Sequence, residues 1–387
     1  MARRCPDAPA NAGELARWKL VADFQERLRT LSGEVAVGRT FADRRRQLGQ
    51  EQYLGLMLFG LLNPVVASMR GLCAASRLER VQEEIGGRAV SLGSFSEAQA
   101  VVNPQLLERV FQELAAERHP YHGDSRLAGY REKLLAVDGT IWAALPKMAW
   151  AFWRRQPKAQ SALKAHFKFN LLEEKPVGVT LTRVPRCERA VWQEHWQAGE
   201  FYVGDRYYGE NYRLFDQLQQ AGCGFVLRLR QEAVFTVVQE YPLRAEDEAA
   251  GVSFDGLVQL GCKQKYRGQP LRLVRVPTEE GELLLVSDQS PQQLSAELVA
   301  LIYRYRWRIE LFFKWLKCIL GCRHWLAQSP RGVAVQVYCA LIAALLLLRA
   351  TGRRPGKRAM EMIRFYLLGY ASLAELTREL GLAQKAA

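Results

Sequence analysis

The sequence predicts a mixed α/β fold: a core of strands and helices, broken by a β-rich insertion, between helical N-terminal and C-terminal regions. Three observations predict it. Residues 14–118 read as helical, with apolar stretches at 53–62 and 106–114. From Lys133 to about 287, short apolar runs and alternating segments replace them. Long helical patterns return at 291–320 and 333–350. That order of elements is the signature of an α/β core with additions.

Element by element, the N-terminal helices are separated by a polar turn at 91–96, where Ser94 and Ser96 can cap the helix that follows. The run Arg44-Arg45-Arg46 reads equally as a phosphate contact and as a solvated helix face. Residues 134–137 form a short strand ending in a turn at Asp138-Gly139. Phe167, Phe169 and Leu171 alternate with Lys168 and Asn170, the period of a half-buried strand. Residues 177–182 supply a partner strand and 188–197 a helix. Residues 201–204 form a strand that ends at Asp205. A helix over 210–221, closed by Gly222, precedes the strand 225–230. The insertion, 231–287, holds alternating segments at 272–276 and 282–286 about a PTEEG turn. TGRRPGK at 351–357 reads as a linker before a helical tail.

The chain has 387 residues, 49% of them hydrophobic, enough for two or three units with real cores. Lys and Arg number 54 against 40 Asp and Glu, a formal charge of +14. Such a surplus suits a polyanion, because cations that neutralise phosphates release condensed counterions. Eight scattered cysteines suit reduced thiols of a cytosolic protein, and no apolar stretch after the basic start suggests a signal peptide. Residues 333–348 are apolar but contain Gln336 and fall short of the roughly 20 residues that cross a bilayer. A buried core helix is the better reading, and no membrane partner is expected.

Residues 301–317, LIYRYRWRIELFFKWLK, carry the most information. With Tyr303 set at zero on a helix of about 100° per residue, Arg306 falls near 300°, Glu310 near 340° and Lys317 near 320°. One phenol, two cations and one carboxylate share a narrow arc, and most of the rest of the helix is apolar. Arg304 and Arg308 fall outside the arc and read as snorkelling or solvent-facing. A polar stripe on a buried helix must face something polar. An internal Arg306–Glu310 ion pair at i,i+4 explains it as well as a functional site does.

Asp138 and Asp205 shift that balance. Each follows a short apolar strand, and neighbouring strands bring such carboxylates together, although an aspartate there also serves as a turn or N-cap residue. Three carboxylates form an oxygen-only site suited to Mg2+ or Mn2+. Two such ions can activate a water or a 3′-hydroxyl and stabilise the leaving oxygen of a phosphodiester.

The run Tyr303-x2-Arg306-x3-Glu310-x6-Lys317 resembles the tyrosine–arginine–glutamate–lysine signature of the insertion-sequence-four group of bacterial DDE transposases. Asp138 in AVDGT and Asp205 in VGDRYYGENY look like that group's first and second aspartates. The resemblance is strong over about 130–350 and looser before it. It implies a ribonuclease-H-like catalytic core with Asp138, Asp205 and Glu310 as ligands of two Mg2+ ions, Mn2+ substituting. It also implies that Tyr303, Arg306 and Lys317 hold phosphates of double-stranded DNA, at transposon inverted repeats and in target DNA. Cut-and-paste transposition by a homodimer in the bacterial cytoplasm, at the nucleoid, follows from the same likeness. The implied layout is a helical DNA-binding region at 1–125, a catalytic domain at 126–350, and a linker with a helical tail at 351–387.

Some members of the group pass through a DNA hairpin, a step that uses an aromatic stacked on a flipped base. The insertion here has no tryptophan; its aromatics are Phe235, Tyr241, Phe254 and Tyr266, which leaves the hairpin step open. Other signals read blandly. Cys318, Cys322 and His324 lack zinc spacing and suit helix packing. His119 and His122 suit a surface loop, and Trp142, Trp150 and Trp153 suit the core more than DNA stacking. PGKRA at 355–359 is no phosphate loop, so no nucleotide cofactor is expected. Two other functions compete: an inactive end-binding repressor, and a DNA nuclease without strand transfer.

Overall fold

A computed structural model describes residues 12–32, 48–66, 68–143, 152–153, 160–182, 187–261, 268–322 and 325–382. Arg44, Arg45, Arg46, Trp150, Tyr266 and His324 lie outside them, as does the Trp153 side chain.

The N-terminal part is helical as expected, from Lys19–Ser32 to Pro104–Ala116. In the latter helix Asn103 caps the Gln105 N–H, Pro104 takes the first turn, and Leu106, Leu107, Val110, Phe111 and Leu114 form one buried stripe. The caps expected at Ser94 and Ser96 are displaced. Ser91 is the N-cap of the helix Leu92–Val101, accepting from the Ser94 N–H at 3.1 Å, and both later serines lie inside that helix.

Among the described residues, the centre is one mixed sheet of ten strands. They are β1 (Leu134–Ala143), β2 (Phe152–Trp153), β3 (Gln160–Asn170), β4 (Lys175–Thr182), β5 (Phe201–Gly204), β6 (Gly224–Arg228), β7 (Phe235–Glu240), β8 (Phe254–Leu260), β9 (Leu271–Thr278) and β10 (Gly281–Ser287). β4, β3 and β1 run antiparallel side by side, and β5 and β6 then join parallel to β1. The β-rich insertion extends this sheet: β10 pairs antiparallel with β6, and β9, β8 and β7 follow outward.

Side chains of β1 alternate between two cores. Leu134, Ala136 and Trp142 face the core shared with the helices, while Leu135 and Val137 face Tyr202, Phe225 and Leu227. Strand alternation at 167–169 is as expected, but Leu171 lies beyond β3. Asn170 is buried, accepting from the Leu172 and Glu173 N–H groups.

The longest helix, Pro330–Thr351, runs buried along almost its whole length. It packs against Gln50–Leu62, Pro104–Ala116 and β4. At 22 residues it is long enough to cross a membrane, unlike the shorter stretch read from the sequence, yet its apolar surface is spent inside the chain. Ser329 and Pro330 open it, and Gly352, with φ of 71°, closes it in the left-handed region. The tail helices Lys357–Leu368 and Leu373–Leu380 follow the expected linker.

A buried ion pair fastens the added strands to the segment leading into the next helix. Arg272 forks onto Asp255 with two bonds of 2.7 Å and also donates to the carbonyls of Gln289 and Leu294. Both side chains are at most 5% exposed. Removing one partner strands the other charge, so Asp255→Ala should cost about 3–5 kcal/mol in urea denaturation. A loss inside about 0.5 kcal/mol, the range of surface substitutions, would show that water replaces the partner freely.

Candidate active site

Asp138 does not end a strand. β1 continues to Ala143, paired with β3 from Leu135↔Asn170 to Ala143↔Ala162. What ends is its other neighbour: β5 pairs with β1 only from Leu134↔Phe201 to Ala136↔Val203. Continuing that register two residues sets Asp205 level with Asp138. The Asp138 carboxylate accepts from the Gly139 N–H at 2.7 Å. Asp205 is the N-cap of the short helix Arg206–Gly209, accepting from the Tyr207 N–H at 2.9 Å. The bland role foreseen for Asp205 is therefore real, and it coexists with the approach to Asp138.

The two aspartates feel each other. Burial, then the neighbouring charges of Asp205 and Glu188, push Asp138 up to about 7, against the opposing pull of the Gly139 N–H and Arg306. Burial also raises Asp205, with Arg306 and the Tyr207 N–H working against it. In both acids desolvation is the largest cause, and it outweighs the opposing Arg306 charge.

Glu310 comes from the other side. The segment expected as one helix over 291–320 is divided into Ala296–Tyr305 and Trp307–Lys314, followed by a wide π turn at Trp315–Ile319. Aromatic rings seat the middle piece on the sheet: Phe313 lies 5.1 Å from Phe167, and Phe312 5.2 Å from Phe169. Phe167 is the cross-strand partner of Asp138, so the helix bearing Glu310 packs on the face toward which Asp138 points.

The polar stripe has the composition expected, with a different division of labour. Arg306 pairs with Glu310 at 2.7 Å and faces both aspartates. Its Nε is buried and has no hydrogen-bond partner, an omission that costs roughly 1–3 kcal/mol. Tyr303 is buried, 8% exposed, with its ring 5.7 Å from the Arg306 guanidinium. Lys317 donates to Thr140 Oγ1 at 2.6 Å and to the Ile141 carbonyl at 2.8 Å, tying itself to β1 just past Asp138. The π turn begins at Trp315 and includes Lys317, so uniform 100° steps do not describe the interval from Glu310 to Lys317.

Arg304 is exposed as expected; Arg308 is not. Arg308 donates to the carbonyls of Leu171 and His122, pairs with Glu174 at 3.4 Å and stacks 3.9 Å from the Tyr305 ring. It clamps the Glu310 helix to the β3–β4 turn. His119 and His122 lie in a loop before β1 as expected, but not at the surface: His119 is buried against the Leu114 carbonyl, and His122, half-buried, bonds the Gly352 carbonyl. Trp142 is in the core, donating to the Cys322 carbonyl. Cys322 is buried and Cys318 exposed. Phe235 and Phe254 both flank the Arg275 guanidinium.

Two neighbours of the aspartates escaped the sequence reading. Glu188 opens the helix Glu188–Gln193, pairs with Lys164 at 2.5 Å and accepts from Tyr208 at 3.3 Å. It presses on Gly139 so closely that a Cβ there would stand 2.8 Å from Glu188 Oε1. Glu188 therefore lies over Gly139, across β1 from Glu310. Tyr208, fully buried, sits beneath the acids. Among the described residues, no three His, Cys, Asp or Glu side chains are grouped closely enough to hold a metal ion; Glu310 is engaged with Arg306 instead.

The register of the sheet sets Asp205 level with Asp138, and the helix bearing Glu310 packs on the same sheet. The family of transposase DDE domains matches residues 129–346, more than half of the chain, and the chain belongs to that family. A Sinorhizobium fredii protein described as transposase y4zB is 30% identical over 173 residues, covering 44% of this chain and 47% of that one. A Geobacillus stearothermophilus protein bears the name of the transposase for insertion sequence element IS5377. It is 26% identical over 221 residues, 56% of each chain. The chain spans about half the length of these relatives. The Escherichia coli transposase for element IS421 is 38% identical over 78 residues, 20% of this chain and 21% of its own. A piggyBac transposase, solved in a synaptic complex with hairpin DNA, aligns over 98% of this chain and 80% of its own. Its TM-score of 0.42 and 11% identity are too low to build on.

The raised Asp138 has a direct consequence for stability. Its folded value, about 7, lies above the ordinary 3.8, so this group favours the fold below pH 4 and loses that contribution as pH rises through 7. In the presence of a chelator, Asp138→Asn should therefore stabilise the chain at pH 8 and change little at pH 4. Thermal melts at the two pH values check the sign; equal shifts at both would refute the buried, ionising carboxylate.

Proposed function

We propose that the chain is a cut-and-paste DNA transposase whose ribonuclease-H-like core holds two Mg2+ ions on Asp138, Asp205 and Glu310. The observation that carries this reading is the parallel β1–β5 pair, which levels the two aspartates on the face where the Glu310 helix packs. The strand arrangement β4-β3-β1-β5-β6, antiparallel then parallel, supports the core assignment. Membership of the transposase DDE domain family supports action on DNA.

The residues fit divalent cations in chemistry. All three side chains offer only oxygen, and two are half-buried acids that desolvation raises toward protonation. Divalent ions bound there would supply an activated water or 3′-hydroxyl and stabilise the departing oxygen. The chain's own side chains orient and enclose. Gly139 and Tyr207 N–H groups fix one oxygen of each aspartate. Arg306, with a donor to spare, would fork onto a phosphate of the cut strand, and Lys317 would hold charge beside β1. Tyr303 supports the Arg306 guanidinium from below. The helical region 1–125 would add DNA contacts, and two copies would bring two inverted-repeat ends together in the bacterial cytoplasm.

Incubating the purified protein with Mg2+ and inverted-repeat DNA from the sequence flanking its gene tests this. Asp138→Ala, Asp205→Ala and Glu310→Ala should each abolish cleavage while end binding persists in a gel shift. Near-normal cleavage by any one of them would overturn the ligand assignment. Binding without cleavage by the unsubstituted chain would instead mark an end-binding repressor, and equal cutting of unrelated DNA a general nuclease. Arg306→Ala and Lys317→Ala should weaken binding and make the salt dependence shallower by about one counterion each. An unchanged slope would leave them a purely structural role.

A further inference from the structure

The Arg306–Glu310 pair sets two demands of the site against each other. Glu310 Oε1 stands 2.7 Å from the Arg306 guanidinium, while the other acids of the trio lie within range of the same cation. The carboxylate needed as a metal ligand is thus committed to a cation of its own chain. That guanidinium is only partly satisfied: its Nε is buried without an acceptor. A phosphate oxygen is well suited to such a fork, since guanidinium and phosphate match in planar, two-point geometry. The backbone tightens at this residue. Arg306 N–H donates to the Tyr303 carbonyl and Ile309 N–H to the Arg306 carbonyl, both at three-residue spacing between two regular helices.

We propose that Arg306 is a positioning residue for Glu310, holding its carboxylate until a DNA phosphate takes the guanidinium and frees Glu310 for a divalent cation beside Asp138 and Asp205. This rests on the ligand assignment made above. Charge is conserved through the exchange. Arg306 trades a carboxylate for a phosphate, and the released carboxylate is neutralised by the incoming cation. Without DNA the site then grips metal weakly, so a hydrolytic centre is completed only where a phosphodiester is already bound. DNA and cation binding become thermodynamically linked, each strengthening the other by the same factor.

Calorimetric titration of Mn2+ into the full chain tests the linkage, with and without a short duplex of arbitrary sequence, because phosphate contacts do not depend on sequence. The unsubstituted chain, Glu310→Gln, Arg306→Gln and the double variant complete a cycle. Without DNA, Glu310→Gln should change Mn2+ affinity by less than about twofold in the native background and by about tenfold in the Arg306→Gln background. The duplex should tighten Mn2+ binding to the unsubstituted chain about tenfold, and to Arg306→Gln far less. Additive effects of the two substitutions would reduce Arg306 to a nearby charge and overturn the proposal. Absence of coupling to the duplex in the unsubstituted chain overturns it too, and needs no variant to fold. If Glu310→Gln costs nothing in any background, even with duplex, Glu310 is no ligand, and the functional reading fails along with the latch.

Discussion

The parallel pairing of β1 with β5 is the constraint on which the site depends, because β5 stops at Gly204 while β1 runs on to Ala143. A strand that outlasts its neighbour exposes the flank of its remaining residues. Asp138 stands at the point of departure, and Asp205 takes up the first position after the shorter strand. Had β5 continued, its backbone would have covered that flank. Gly204 permits the sharp exit: a Cβ there would meet Leu227 at 2.7 Å and Tyr208 at 3.1 Å. The same tightness brings Tyr208 beneath the two acids.

The third acid arrives by side-chain packing, without any backbone pairing, and its placement is only as firm as that packing. Phe312 and Phe313 press on β3, Arg308 is bonded to two carbonyls beyond the strand, and Trp315 donates to the Pro355 carbonyl at 2.6 Å. Arg354 adds an ion pair to Glu174 at 3.7 Å, on the carboxyl group that also meets Arg308. Glu174 occupies the left-handed region with φ of 50°, a strained conformation for a residue with a side chain. The strain is held where the β3–β4 turn, the Glu310 helix and the segment after Pro330–Thr351 meet. Packing fixes the axis of the Glu310 helix, while the Glu310 side chain, 32% exposed, is held by Arg306 at 2.7 Å.

Local signals marked candidate residues better than they described the backbone that carries them. The strand at 201–204 and its terminal aspartate were legible because a short apolar run before Asp has few other readings. The extent of β1 was not, because Asp-Gly is a turn signal and hid the strand-forming Thr140, Ile141 and Trp142 after it. Gly139 has no positive φ; it is small because the Glu188 carboxylate lies against it, a contact between residues far apart in sequence. Arg308 was misread for a similar reason: helical phase says which way a side chain starts, and the carbonyls of Leu171 and His122 decide where it ends. The π turn at Trp315–Ile319 leaves no composition signal at all. Membrane length misled less, since the apolar run of Pro330–Thr351 is what a helix enclosed on every side requires.

Charge balance connects these pieces. A chain with a surplus of +14 has, at its candidate centre, acids that burial pushes toward protonation. Among the described residues Arg306 faces the acids, Lys164 pairs with Glu188 and Lys317 stands at their edge. Arg306 cannot satisfy three carboxylates with one charge, and Asp138 and Asp205 each accept from a backbone N–H as well, of Gly139 and of Tyr207. A more complete neutralisation, with a second arginine in place, would make a stable internal salt bridge and a poor seat for a cation. Under-compensation is what separates a functional cluster of acids from a structural one. It costs stability in the free chain, and under the proposed function a cation and a phosphodiester binding together would offset that cost.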